Sequence, residues 1–172
     1  YDAVVLEFDF VPTSTQMKFN YIFASEEYTG GYPCSNYDDA FALLLRPNTP
    51  GATYTNLAVL PGGAGPVSAT NIVPQDPLFS CGPINAQYFG SLPPNQVNYY
   101  GRTIPLTAEA TVIPGQSYHI KMVVADARAS NYDSAVFSEA GSFDIGVNLH
   151  DPSGATLPGG INGCDTLPHV IT

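Results

Sequence analysis

Residues 106–125 read LTAEATVIPGQSYHIKMVVA. Leu106, Ala108 and Ala110 alternate with Thr107, Glu109 and Thr111, and after Pro114-Gly115 the residues Ile120, Met122 and Val124 alternate with His119, Lys121 and Val123. A period of two is that of a strand with one buried face, and Pro-Gly between two such runs is a turn. The pattern repeats on either side. In AVVLEFDFV (3–11), Leu6, Phe8 and Phe10 oppose Glu7 and Asp9. In MKFNYIFA (17–24), Met17, Phe19, Tyr21 and Phe23 share a face, and Pro12-Thr13-Ser14 turns between the two runs. The continuous apolar run AFALLL (40–45) reads as a buried strand. SFDIGVNL (142–149) alternates again, and 55–60 and 67–73 are further candidates around Pro61-Gly62-Gly63. No stretch carries an apolar 3.6-residue period over ten residues. Seven to nine short strands at this spacing predict an all-β chain, a two-sheet antiparallel β-sandwich of jelly-roll-like form with long Pro/Gly-rich loops.

Composition agrees. The chain has 172 residues, enough for one domain with a proper core, and 44% of them are apolar. Its 16 glycines and 16 prolines are nearly a fifth of the chain, against about 12% in average usage. Residues 74–96 hold five of the prolines and predict a long irregular excursion, a kind of loop that is more often functional than idle. From about residue 151, Asp151-Pro152-Ser153-Gly154 and Pro158-Gly159-Gly160 read as a linker or the start of a following module (151–172), so the domain is placed at 1–150. The chain opens at Tyr1 inside a strand-like run, as a piece of a longer processed polypeptide does.

Charge narrows the partners. Fifteen acidic residues against five basic ones give a net charge of -10. That excludes the basic footprint of a nucleic-acid binder and disfavours anionic membrane surfaces, and no apolar run approaches the ~20 residues of a membrane span. Only two lysines occur, the polar residues are mostly Ser, Thr, Asn and Tyr, and Cys34 and Cys81 lie in turn-rich contexts where a disulfide fits an extracellular protein. Cys164 is left over, free or paired outside this chain; three buried thiols are the other reading.

The acids are concentrated. Glu26, Glu27, Asp38 and Asp39 flank SEEYTGGYPCSNYDD, and Asp126 and Asp133 bracket ADARASNYDSAV, with Glu139 just beyond. Like charges at this density are tolerated where a cation neutralises them, and oxygen donors without nearby His or Cys suit Ca2+; solvated loop carboxylates are the bland alternative. Tyr28, Tyr32 and Tyr37 crowd the first acidic loop and Tyr132 the second, a composition that suits a recognition surface or a cap on the core. No Gly-x-Ser-x-Gly or HExxH occurs, and His119 falls on the outer face of its strand; Glu26, Glu27 and Glu139 could converge as a glycoside-hydrolysing pair, but as metal ligands or surface charges they are better accounted for, so the reading is non-catalytic.

The segments DAVVLEFDFVP, FNYIFASEEY, CSNYDDAFALLL, PGQSYHIKMVVADA and YDSAVFSEAGSF together resemble the choice-of-anchor L domain, a module of large bacterial surface and secreted proteins, over residues 2–148. The resemblance implies a preceding segment not in this sequence. It puts the family's acidic positions on Glu26, Glu27, Asp39, Asp126, Asp133 and Glu139 as Ca2+ ligands, with Asp38 where the family usually has Asn. It also places Cys34 and Cys81 in a subgroup that has both cysteines. Related modules include the peptide-binding domains of large Ca2+-dependent adhesins. The expectation is therefore a non-catalytic, Ca2+-dependent ligand-binding module of a bacterial cell-surface or secreted adhesin. Its partners would be a peptide terminus or glycan on a target cell and the neighbouring domains of its own chain. Tyr28, Tyr32, Tyr37, Arg128 and Tyr132 would flank the ligand. A structural spacer stiffened by Ca2+ and a carbohydrate-binding jelly roll are the alternatives.

Overall fold

The computed structural model describes residues 2–90, 98–128 and 131–146. Strands β1 (Ala3–Phe10), β3 (Ala40–Pro47), β4 (Thr55–Asn56), β5 (Val67–Ser68) and β9 (Tyr118–Ala125) form one sheet. Strands β2 (Gln16–Ser25), β6 (Phe89–Gly90), β7 (Gly101–Thr103), β8 (Leu106–Thr111) and β10 (Ser134–Ser138) form the other. Every pairing is antiparallel. The two-sheet sandwich expected from alternation is the fold found.

Each sheet is organised by one central strand. β9 lies between β1 and β3 over its whole length, with Ile120 opposite both Phe8 and Leu45. β2 pairs with β8 along its first part, with β7 at its end, and with β10 on its other side. The alternating sequence of β2 sends Met17, Phe19, Tyr21 and Phe23 into the core, where the Tyr21 ring meets Phe41 of the facing sheet at 4.9 Å. Burying each such side chain contributes roughly 1.5–3 kcal/mol. Phe143 closes the far end of the core by meeting Phe8 and Phe10 edge-on at 5.6 and 5.5 Å.

Four departures from the sequence reading have physical reasons. The turn at Pro114-Gly115 does not close a hairpin: β8 and β9 sit in different sheets, so it is a crossover between layers. The run 142–149 yields a single bridge, Asp144 to Lys18, because the chain there only skirts β2; residues 147–149 lie outside the described residues, as do 151–172 with the expected linker. SAVFS (134–138) forms β10 although its alternation is too short and too polar to read. Of 55–60 and 67–73, only Thr55–Asn56 and Val67–Ser68 pair as strands.

Cys34 and Cys81 form the expected disulfide, which ties the proline-rich excursion to the loop between β2 and β3. Val73 also bridges to Ile84 across the excursion, which holds a 3-10 turn at Ala86–Tyr88; residues 91–96 of the expected excursion lie outside the described residues. The bridge spans 47 residues of chain, so in the chain-entropy treatment it stabilises the fold by about 4 kcal/mol. Replacing both cysteines by Ser is expected to lower the unfolding free energy by about 2–4 kcal/mol in denaturant titrations, and intact-mass measurement after alkylation should find neither Cys34 nor Cys81 modified in the unreduced protein.

Candidate functional site

Register brings two crossing loops to one end of the sandwich. Ala125 at the end of β9 pairs with Ala3 and with Ala40, and Ser25 at the end of β2 pairs with Ser134 and Gly101. Loop 26–39 leaves the β2 sheet for the β3 sheet at that end, and loop 126–133 crosses back. The acids singled out in the sequence, except Glu139, lie in these two loops.

Asp39 joins them. It is 1% exposed, and its Oδ1 accepts the Ala127 backbone N–H at 3.3 Å while its Oδ2 accepts the Ser134 hydroxyl at 2.7 Å. Glu27, also 1% exposed, receives the Asp39 backbone N–H on Oε2 at 2.9 Å, and its own N–H donates to Ser25 Oγ. Asp38 points elsewhere and accepts both the N–H and the hydroxyl of Thr70, at 3.1 and 2.7 Å. An Asn carbonyl fills that role equally well, which is why Asp at a position usually Asn fits here. Glu26, in the turn after β2, has different partners from Glu27: its Oε2 accepts the Asp133 N–H at 3.1 Å, and its N–H donates to the Asp133 carbonyl.

This end holds negative charge without a positive partner. Among the described residues no Lys, Arg or His makes an ion pair with Glu26, Glu27, Asp38, Asp39, Asp126 or Asp133. Burial pushes the Glu27 carboxyl up to about 7; the Asp39 amide opposes the rise and the charges of Asp39 and Asp38 add to it. Burial, followed by the negative charges of Asp39, Asp133 and Asp2, pushes Asp126 up to about 6. The Tyr28 hydroxyl lies beside Glu27 and Asp38 and has no hydrogen-bond partner, although the residue is only 5% exposed.

The expected site residues separate into groups. Glu27, Asp39 and Asp126 come together, with Glu26 and Asp133 paired alongside. Glu139 is not brought to them: its carboxylate accepts from Asn20 Nδ2 at 2.8 Å, about 16 Å back along β2 from Ser25, because β10 carries the chain away from the acidic end. Tyr28 is not a surface residue, since its ring lies over Gly101 and meets Phe89 at 5.0 Å. Tyr32, Tyr37 and Tyr132 are adjacent, with ring centroids 5.4 Å (32–37) and 4.7 Å (32–132) apart. Arg128 is exposed, in the left-handed region at φ 72°. Sequence reading missed Ser134 and the Ala127 amide, the donors that hold Asp39; a backbone donor leaves no trace in residue type. Among the described residues no three His, Cys, Asp or Glu side chains are arranged to hold a metal ion as the chain stands.

The family model of the Choice-of-anchor L domain matches residues 1–144. No curated protein and no solved structure matches the chain.

The raised carboxyls set the pH dependence of the metal-free protein. The native state holds protons on Glu27 and Asp126 that the unfolded chain has already released, so stability is full below about pH 4 on this account and falls as pH rises through about 6 and 7. Thermal unfolding in chelator is expected to show a melting temperature that declines between pH 5 and 8, and Glu27→Gln should flatten the decline. A melting temperature that rises across this window in the wild type would contradict the assignment.

Proposed function

This chain belongs to the choice-of-anchor L domain family, and on that footing we propose that it is a non-catalytic, Ca2+-dependent ligand-binding module of a bacterial cell-surface or secreted adhesin. The family and the β-sandwich fit a surface module. The metal reading is carried by one observation: the almost fully buried Asp39 lies between the equally buried Glu27 on one side and Asp126 on the other, and among the described residues no cation pairs with any of the three. Like charges a few ångströms apart at intermediate dielectric repel by roughly 1–4 kcal/mol per pair.

The donor set has the chemistry of a hard-cation site. Carboxylate oxygens from two loops, with the Tyr28 hydroxyl unpartnered beside Glu27, suit Ca2+, which takes oxygen ligands and accepts backbone carbonyls and water to complete its shell. The three carboxylates are not arranged around an ion in this structure, so Ca2+ would have to draw Glu27, Asp39 and Asp126 together; once bound, it would supply neutralisation and a coordination position for an anionic ligand group such as a peptide carboxylate. The chain's own contribution is to bring the loops together: Asp39 holds Ala127 and Ser134, which stand near the two ends of the second loop.

A second reading rests on the same residue. Both Asp39 oxygens are satisfied by loop donors, which favours a spacer whose end is stiffened rather than a site that opens to ligand. Ca2+ titration into chelator-treated protein distinguishes these. The adhesin reading expects the melting temperature to rise with Ca2+, the rise to vanish in Asp126→Asn, and immobilised peptides to bind only with Ca2+ and a free C-terminal carboxylate. Stabilisation by Ca2+ with no peptide or glycan bound supports the spacer, and a melting temperature indifferent to Ca2+ removes the metal from both.

A further inference from the structure

Beside the acidic end, four tyrosines from three segments form a continuous row. Tyr37 meets Tyr32 at 5.4 Å, Tyr32 meets Tyr132 at 4.7 Å, and Tyr132 meets Tyr100 at 6.5 Å, each pair edge-to-face. The outer members are open, Tyr37 at 36% and Tyr100 at 59% exposure. Tyr132 is followed directly by the exposed Asp133, whose backbone pairs with Glu26, so the residues adjoining the row carry two carboxylates.

The row lacks what its counterpart elsewhere in the molecule has. On the outer face of the β1–β9–β3 sheet, Tyr54 lies under Arg46 at 5.1 Å and Lys121 at 5.9 Å, so that aromatic face is covered by cations of the chain itself. Among the described residues no Lys or Arg lies over Tyr32, Tyr37, Tyr100 or Tyr132, and none pairs with Glu26 or Asp133. Aromatic faces attract cations within about 6 Å, and adjoining carboxylates add a Coulombic pull that a chain of net charge -10 reinforces. We propose that the row Tyr37–Tyr32–Tyr132–Tyr100, with Glu26 and Asp133 adjoining it, is a docking surface for the guanidinium and ammonium groups of a basic peptide segment on a partner protein. The inference does not depend on the metal site. It differs from carboxylate capture by Ca2+ in the sign of the ligand group, and a peptide bearing both groups could engage both places.

Glycans are the competing class, since they also stack on tyrosine. The observations favour the cation because each of the three contacts sets neighbouring rings at a steep angle, 61°, 70° and 68°, which breaks up the flat platform a sugar ring needs, and because the adjoining residues are acidic. The test is isothermal titration of the 172-residue protein in chelator, so that the metal plays no part. The titrants are an N-acetylated, C-amidated Arg-Gly repeat peptide, the same peptide with Gln for Arg, and a neutral oligosaccharide panel. The expected result is binding of the arginine peptide alone, weakening with added salt. The Tyr37→Ala/Tyr100→Ala double variant should lose at least about fivefold in affinity. Asp133→Asn should also weaken binding, and Tyr54→Ala on the far face should leave it unchanged. Because Tyr37 and Tyr100 are exposed, both variants should keep the wild-type melting temperature. Equal binding of the Gln peptide, an arginine peptide indifferent to the double variant, or oligosaccharide binding lost in that variant would each overturn the proposal.

Discussion

The buried carboxylate of Asp39 is the constraint on which the acidic end of this domain depends. One side chain collects a backbone N–H from loop 126–133 and the first hydroxyl of β10, while the residue's own N–H is held by Glu27 at the start of the same loop. The two crossings between sheets are thereby fastened to each other as well as to their strands. A hydrogen bond to a charged acceptor contributes about 1.5–3 kcal/mol, and leaving its buried donors unpaired costs a similar amount. Removing this carboxylate would release loop 126–133 and the start of β10 together. The rest of the sandwich would keep its apolar core, because Tyr21, Phe23, Phe41 and Ile120 pack below that end.

The local chain is shaped around the same tie. Asp38 and Asp39 are neighbours with opposite directions, so one residue pair fastens Thr70 on one side and Ala127 with Ser134 on the other. Gly101 is required where it stands: a Cβ there would lie 2.5 Å from the Tyr28 ring and 2.7 Å from Phe89. That close approach lets Tyr28 bury its ring beneath the loop and leaves its hydroxyl beside Glu27 and Asp38. The disulfide adds a covalent hold a few residues before Asp38, where Cys34 receives the Cys81 N–H at 3.1 Å.

The parts of this arrangement legible in the sequence are those that residue type encodes. Alternation revealed β2, β8 and β9 nearly to their ends, because half-buried strands repeat apolar and polar residues with period two, and it revealed β1 as well, although only its end, at Phe8 and Phe10, reaches the core while Val4 and Leu6 stay exposed. The clustering of Glu26, Glu27, Asp38, Asp39, Asp126 and Asp133 was visible as composition, and register then brought the two loops to one end. Three things were not visible. Glu139 looked like part of the cluster because it is near in sequence, but five residues of β10 carry it down the sheet. Tyr28 looked like a surface aromatic because its neighbours are polar, and only the absence of a side chain at residue 101, far away in sequence, makes room to bury it. The layer crossing at Pro114-Gly115 reads as an ordinary turn, since a turn's residues specify its bend and not the sheet that the next strand joins.

At the acidic end local and global preferences conflict. A strand end that buries Glu27 beside Asp39 gives up solvation for both, and the rise of the Glu27 and Asp126 carboxyls measures that conflict. On the outer face of β1 the chain resolves charge internally: Glu7 and Asp9 meet Lys121 at 2.7 Å and His119 at 2.6 Å across the register of β9. The sequence thus has the means to pair its acids and does so on the sheet face, while the two crossing loops bring theirs together unpaired. Sequences that fold well keep their levels consistent and break that rule mainly at functional sites. The loops break it next to a row of open tyrosines, which sets the unresolved charge and the exposed aromatic surface at the same end of the sandwich. A cation held at that end, whether an ion or a partner's side chain, would relieve the repulsion and add its own contacts, so binding and local stability there draw on the same electrostatic free energy.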